Sequence, residues 1–572
     1  MIKCLGCGSS LLFDPATQLL KCPHCGRTEN VSDFTDSYPH YLEAEQDPYD
    51  PNMTHQVKTY DALLYKCPNC GAEIVATDET ASTFCSFCGD SVVLTPRLER
   101  QKYPAYIIPF SKTKADCEDA YKKKLKSAFF APSRLKKENE IEKFRGIYMP
   151  YWTYDFSKNR EISVEGKKSH RSGNYVYTDH YRLRKPVHAG YEGASFDAAS
   201  TFNDTLSEAI SPFNVTEAKE FTPAYLSGFY ADVGDVAQET YAEDAKALAA
   251  DYFKDNVLKD SAFRGYEISD KALDNQLSPE EKAQKMGYFP VWFLAVRSRN
   301  NKRVSYAVVN GQTGKVAADL PVSFWKYLIG SLLVAVPIFL LLNFFFTLTP
   351  VKALLISAFL SLVSMIIVNM QANRTYTREH DLDDRGLQSI RKKEAFERLE
   401  EERLQAKKDG SAPAAAKPAG QDKKTDKKKK SSSSILSTII VVIVMIAGIL
   451  LLYEMPWILE GGVFFGFLIV GVFSLIAFIS SAVKKKTKGS RRRKSNVSKA
   501  PMKEKVLTLL KPIAGILIAL ITWLVNPVQD IYYYAASSVI MALITWSIYD
   551  IISQHNRQTM RPLPQFGKRG GK

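Results

Sequence analysis

The first 323 residues contain no predominantly apolar stretch long enough to cross a membrane. The chain also opens without the charged n-region and apolar h-region of a secretory signal peptide. Its nine cysteines are therefore expected in an unexported, cytosolic front half, as metal ligands rather than as a disulfide framework. Catalytic signatures are missing too. No His-Glu-x-x-His, Gly-x-Ser-x-Gly or helicase motif occurs, and the eight histidines form no cluster by spacing. Gly311-Gln-Thr-Gly-Lys315 lacks the upstream glycine and the following Ser/Thr of a phosphate loop. The expectation is a protein that is not an enzyme.

What the front lacks, the back half has. Six apolar stretches fall at 327–348, 353–370, 435–453, 457–482, 506–525 and 532–552. Each approaches the roughly 20 residues a helix needs to cross the hydrocarbon core. The links around Pro350, Pro456 and Pro527 are a few residues long, so the six pair into three hairpins. A purely soluble protein is excluded.

Charge follows the same division. The formal charge is +15, yet residues 1–370 hold 42 Lys/Arg against 44 Asp/Glu, and residues 371–572 hold 34 against 17. Residues 371–434 carry 17 basic side chains, 484–505 carry 11, and the tail from Ser553 carries five. By the positive-inside rule, both termini and both long loops are cytoplasmic in a multi-pass protein of the inner (plasma) membrane. No ionisable residue falls at a clear mid-membrane position. Lys511, in the first turns of the fifth helix, is expected to snorkel to the cytoplasmic surface.

The sharpest chemistry is N-terminal. Cys4, Cys7, Cys22 and Cys25 form one Cys-x2-Cys-x14-Cys-x2-Cys unit, and Cys67, Cys70, Cys85 and Cys88 form a second with identical spacing. Thiolates two residues apart grip one metal from a tight turn. The glycine after each pair (Gly8, Gly26, Gly71, Gly89) lets the backbone turn its amides toward the sulfurs. Two such knuckles close a tetrahedral Cys4 site. Two structural zinc ions are expected, with rubredoxin-like iron as the alternative. All four positions are thiolates, so no coordination place is left for a catalytic water. His24 reads as an exposed turn residue, and Cys117 as a small buried apolar one.

Ribbons of this kind can bind nucleic acid, but residues 33–61 hold seven carboxylates against Lys58 alone. Carboxylates repel phosphate, so protein partners rank ahead of nucleic acid. Between the ribbons and the membrane, 115–130 and 237–257 read as helices. Strand patterns appear at 162–164, 175–181, 293–297 and 304–310. Lys122, Lys123, Lys124 and Lys126 belong to a solvated or membrane-facing side of the first helix. Gly146-Ile-Tyr-Met-Pro-Tyr-Trp152 is echoed by Gly287-Tyr-Phe-Pro-Val-Trp292, and more faintly by 103–110, which suggests duplicated β units with an aromatic core.

The resulting organisation is multidomain: two small Cys4 zinc ribbons, an α+β soluble domain, and six transmembrane α-helices in three hairpins. Ribbon 1 (1–30) and ribbon 2 (66–95) flank an acidic linker (31–65). The α+β domain (96–323) precedes hairpin 1 (324–370). An amphipathic charged helix (371–408) and a disordered Lys/Ala/Pro/Ser linker (409–434) lead to hairpin 2 (435–483). A basic loop (484–505), hairpin 3 (506–552) and a basic tail (553–572) complete the chain. Membrane lipid is the obligatory partner, with anionic lipid expected at the basic cluster 484–494.

Paired Cys-x-x-Cys-Gly ribbons, Pro150-Tyr-Trp-Thr-Tyr-Asp155, Pro223-Ala-Tyr-Leu-Ser-Gly-Phe-Tyr-Ala-Asp232 and the Gly-Gln-Thr-Gly-Lys turn before a membrane hairpin resemble the bacterial TFIIB-type zinc-ribbon membrane proteins. The resemblance covers roughly residues 1–370. Some members are encoded near phage-shock-like envelope-stress components. It implies a membrane anchor or adaptor that recruits cytosolic or membrane proteins. The alternative is a membrane-tethered binder of nucleic acid or transcription machinery, which requires a basic face hidden from a linear count.

Overall fold

The computed structural model describes residues 2–37, 40–46, 54–76, 85–90, 95–298, 300, 302–345, 349–408 and 501–565. The expected linker 409–434, hairpin 2 (435–483) and the basic cluster 484–494 lie outside the described residues.

Ribbon 1 is a small antiparallel sheet of β1 (Leu12–Asp14), β2 (Leu19–Lys21) and β3 (Thr28–Glu29). The stretch expected as an acidic linker differs from that reading. It contains β4 (His40–Gln46) and β5 (Thr54–Lys66), an antiparallel hairpin of the main sheet. The reason is a period of two that the carboxylate count concealed. Tyr60, Ala62 and Leu64 are buried on one face, while Asp61 points out to Arg100 at 3.6 Å. Ribbon 2 grows directly from this strand, because β6 (Glu73–Ala76) and β7 (Thr95–Lys102) both pair with β5.

The soluble domain is dominated by its sheet. After β8 (Tyr106–Ile107) come α1 (Lys114–Ser127), α2 (Glu138–Ile141) and a long hairpin, β9 (Arg145–Ser172) and β10 (Tyr175–Asp197). Then follow α3 (Asp204–Ile210), β11 (Lys219–Glu220), β12 (Tyr230–Asp232), α4 (Ala242–Lys259), β13 (Glu267–Ile268) and α5 (Asp270–Gln276). β14 (Glu280–Arg297), β15 (Arg303–Asn310) and β16 (Val316–Ala318) close the domain. The main path runs β11-β8-β14-β9-β12-β6-β5-β4. α1 starts on a capping box in which Thr113 and Asp116 satisfy each other's backbone amides, and it buries Cys117, Tyr121 and Leu125.

The sequence echo has a structural counterpart. β9 and β14 lie side by side and antiparallel, with Gly146 opposite Trp292 and Tyr151 opposite Gly287. Each has a parallel neighbour at the equivalent place: β12 beside β9, and β8 beside β14. A methyl group on Gly146 would stand 2.4 Å from the Phe229 ring, and one on Gly287 2.4 Å from the Tyr106 ring. Both glycines thus leave room for an aromatic side chain from the adjoining segment. Phe110, Tyr148, Phe229 and Trp292 fill the centre, with Phe110 stacked on Phe229 at 4.4 Å.

Among the described residues, four helices are long and apolar enough to span a membrane: α6 (Phe324–Phe345), α7 (Pro350–Glu379), α9 (Met502–Val525) and α10 (Asp530–Thr559). They fall on the first two and the last two of the six expected apolar stretches. α8 (Arg385–Lys408) lies between α7 and α9 in the chain, and β17 (Arg561–Pro562) follows α10. The amphipathic helix expected over 371–408 is two pieces: α7 runs on to Glu379, and Asp384 accepts from the amide of Leu387 at 2.9 Å to start α8. Ile390 packs on the domain, while Phe396 is exposed.

α7, α9 and α10 pack through small residues, as membrane helices do. Ser361 is fully buried, its hydroxyl donates to the Pro512 carbonyl at 2.8 Å, and Gly515 faces it. Lys511 departs from its expected snorkelling. Its ammonium meets Asp550 at 2.6 Å and lies 4.2 Å from the centre of the Trp546 ring.

Candidate metal centres and membrane junction

Each knuckle is built the same way. The amide of Gly8 donates to the Cys4 carbonyl at 2.9 Å, and Gly26, Gly71 and Gly89 repeat the bond to Cys22, Cys67 and Cys85. All four glycines have φ between 67° and 75°, the left-handed region that favours glycine. This turn brings the sulfurs together. Cys4 and Cys25 are 3.6 Å apart and Cys7 and Cys22 3.4 Å. In the second unit, Cys67 and Cys88 are 3.9 Å apart and Cys70 and Cys85 3.7 Å. A tetrahedral ion with metal–sulfur bonds of roughly 2.3 Å places its ligands roughly 3.8 Å apart, and a disulfide needs roughly 2.05 Å. The spacing fits a metal and excludes a disulfide. All eight predicted ligands converge in two groups of four, positioned to bind metal.

Local amides favour thiolate. The backbone N–H groups of Cys25, then His24, hold the Cys22 thiol down at about 6. In the second set the thiols act on one another: hydrogen bonds from Cys70, Cys85 and Cys88 hold Cys67 well below the usual thiol range, and the same contacts raise Cys70 and Cys85.

The two centres sit in different surroundings. Cys7 and Cys25 of the first are exposed, and Leu5 in its knuckle is 72% exposed. Ribbon 1 is attached to the domain through its far side. Phe13 packs edge-on against Tyr225 at 5.3 Å, its amide donates to Ser227, and the Gln18 side chain donates to the Phe110 carbonyl at 2.7 Å. In the second centre all four cysteines are buried. The Tyr306 hydroxyl donates to the Phe87 carbonyl at 2.9 Å, and Arg297 donates to the Cys88 carbonyl at 2.7 Å while pairing with Asp90 at 3.1 Å. Ribbon 2 is part of the domain's own core. His24 and Cys117 lie as expected, one exposed and the other buried within α1.

Sequence reasoning missed a charged junction where the sheet meets the helices. β17 pairs with β15, placing Arg561 opposite Val304. Arg303 donates to the carbonyls of Met560 (2.6 Å) and Arg557 (3.0 Å) and reaches Glu379 at 3.3 Å. Glu379 also pairs with Arg557 at 3.0 Å, and Arg378 with Asp319 at 3.4 Å. Asn556 exchanges two hydrogen bonds with the backbone of Val322. The available signal was charge about two helical turns outside the first pair of apolar runs: Asp319 before residue 327, and Arg378 and Glu379 after residue 370.

Beside this junction three carboxyls are buried together. Asp204 accepts from the Tyr241 hydroxyl at 2.7 Å and from the Arg385 amide at 3.0 Å, and Asp384 accepts from Asn203 at 2.9 Å. Burial, then repulsion from Asp204, raises the Asp384 carboxyl to about 8. The same two causes, with Asp384 added, hold Asp197 well above the usual range. A cavity of about 650 Å³ borders the group, lined by Thr201, Asp384, Arg391, Glu394 and Arg561 among others.

No protein-family model matches the chain. No solved structure matches it either. The chain is similar to the uncharacterized protein YdjG of Bacillus subtilis (strain 168), 28% identical over 328 residues that make up 57% of this chain and 91% of that one.

Proposed function

We propose that this chain is a membrane-embedded adaptor that holds two zinc ribbons at the cytoplasmic face of the inner membrane and recruits protein partners there, in the setting of envelope stress. The observation that carries the reading is the attachment of the ribbon-bearing sheet to the apolar helices. β17 follows the last of these helices and pairs with β15, which precedes the first, so both ends of the membrane region return to one sheet. The sheet thus forms a fixed platform. Ribbon 1 projects from it with an exposed Leu5, an apolar contact suited to protein rather than phosphate. The pairing also requires an even number of crossings between residues 304 and 561, in line with four or six helices. The basic loops put the sheet on the cytoplasmic side. Zinc, with its preference for closed Cys4 sites, is the proposed metal.

The nucleic-acid reading gains support from one feature. The β9–β10 hairpin projects, with residues 167–182 exposed throughout. Its register places Lys167, Arg171, Arg182 and Arg184 on one face, and among the described residues none of them has a salt bridge. A two-stranded ribbon of this kind fits a nucleic-acid groove.

Crosslinked recovery of the full-length protein from native membranes separates the two. It is run with and without nuclease, beside a Cys4→Ser/Cys22→Ser variant and a Lys167→Ala/Arg171→Ala/Arg182→Ala/Arg184→Ala variant. Nuclease-resistant partners lost on changing ribbon 1 support the adaptor. Nuclease-sensitive recovery lost on changing the hairpin face overturns it.

A further inference from the structure

Residues 122–137, Lys-Lys-Lys-Leu-Lys-Ser-Ala-Phe-Phe-Ala-Pro-Ser-Arg-Leu-Lys-Lys, hold seven basic side chains and no acidic one. The segment comprises the last turns of α1 and the loop that follows. Lys122 of its first lysine group pairs with Glu138 at 2.7 Å. Lys123, Lys124 and Lys126 are exposed and, among the described residues, make no salt bridge. Between the basic groups stand Phe129 and Phe130, with Phe129 78% exposed.

The loop is fixed against the start of α6. The Ser323 amide donates to the Phe130 carbonyl at 2.8 Å, and the Lys326 ammonium donates to the Ala131 carbonyl at 2.9 Å. The Phe130 ring meets Tyr327 at 5.4 Å, and a methyl on Gly330 would stand 2.8 Å from it. Gly330 lies well inside the apolar span Phe324–Leu341, nearly two turns from its start. Trp325 and Tyr327 there, with Tyr549 of α10 packed 5.3 Å from Phe324, form the aromatic belt expected at a membrane–water interface. Phe130 therefore stands at or below the level of that belt. Phe129, its neighbour, is largely uncovered among the described residues.

We propose that residues 122–137 are an interfacial membrane element: Phe129 and Phe130 enter the headgroup–acyl boundary, and the flanking lysines hold anionic phospholipid headgroups. An exposed phenylalanine at this depth finds in the acyl region the burial the protein does not give it. The cations then face the phosphate layer, where each basic residue adds to the attraction for anionic lipid. The element gives the sheet domain a second attachment to the bilayer, which fixes its tilt relative to the helices. It is also lipid-sensitive, unlike the protein contacts of the junction.

The test uses the full-length protein in nanodiscs of phosphatidylcholine alone and of an equimolar mixture with phosphatidylglycerol. A photoreactive benzoylphenylalanine replaces Phe129, Val336 on α6, or Ser172 at the hairpin tip. Lipid adducts at 129 and 336 but not at 172 are expected; adducts at 336 alone overturn the proposal. Lys123→Gln/Lys124→Gln/Lys126→Gln is then compared with Lys167→Gln/Arg171→Gln/Arg182→Gln, an equal loss of charge far from the loop. The α1 variant should weaken retention of phosphatidylglycerol by about fivefold per lysine removed, with the hairpin variant unchanged. Equal retention by both variants overturns the headgroup role.

Discussion

Lys511 and Asp550 show how one residue pair depends on its surroundings. Their side chains are 15% and 16% exposed and meet at 2.6 Å between α9 and α10. Removing one partner of such a pair leaves a charge without compensation, at a cost of about 3–5 kcal/mol, whereas replacing both with apolar residues is close to neutral. Lys511→Met should therefore lower the thermal midpoint in detergent sharply, and Lys511→Met/Asp550→Leu should recover most of it. Equal loss in the single and double variants would assign the effect to packing instead.

Asp384 makes a second prediction at the same scale. Its folded carboxyl titrates at about 8, above its ordinary value of 3.8, because it is buried beside Asp204. The folded state holds a proton that the unfolded state has released, so this group's contribution is complete below about pH 4 and is lost as pH rises toward about 8. Asp384→Asn keeps an acceptor for the start of α8 and removes the titration. Relative to the parent, the variant should gain up to about 1.4 kcal/mol per pH unit across that window. Unfolding midpoints of both proteins at a series of pH values check this; parallel curves would refute it.

At the scale of elements, the two ribbons share one spacing and differ in burial. The cysteine pattern made the ligands and their geometry legible, because a knuckle is a local turn fixed by neighbouring residues. It could not reveal which of the two centres has all four sulfurs buried. That depends on Tyr306 and Arg297, more than two hundred residues away in sequence. The same limit hid β5, whose buried Tyr60, Ala62 and Leu64 follow a segment rich in carboxylates. The strands at 293–297 and 304–310 were readable because short apolar runs, Phe293–Val296 and Tyr306–Val309, are rich in aromatic and β-branched residues. Strong chelation of the purified protein should remove one metal rapidly, from Cys4, Cys7, Cys22 and Cys25, and the second only with unfolding of the domain. Cys22→Ser should halve bound metal with a stable domain, and Cys85→Ser should destabilise it by several kcal/mol. Metal analysis beside thermal unfolding distinguishes these outcomes, and equal release rates would show that burial does not protect the second site.

For the whole molecule, the membrane helices and the sheet domain are joined at both ends of the apolar region. Hydropathy located the four described spans because twenty consecutive apolar residues are a local signal. The junction was not legible in the same way: it assembles Arg303, Asp319, Glu379 and Arg557 from four separate parts of the chain. β17 is only two residues long. It nonetheless brings in Arg561, whose side chain is 13% exposed and whose charge stands among Asp319, Asp381, Asp383 and Asp384. Ending the chain after Met560 removes that cation and leaves this acidic group with two remaining counterions, Arg378 beside Asp319 and Asp383 and Arg391 at 2.8 Å from Asp381. Truncation at this point should destabilise the sheet domain by about 3–5 kcal/mol while the α7–α9–α10 bundle persists. Arg561→Met in the full-length chain, which keeps the strand pairing, should reproduce most of the loss. Protease resistance of the domain and of the helices, followed separately in the same reconstituted sample, measures both. If truncation destabilises the domain and Arg561→Met does not, backbone pairing rather than charge holds the platform to the membrane.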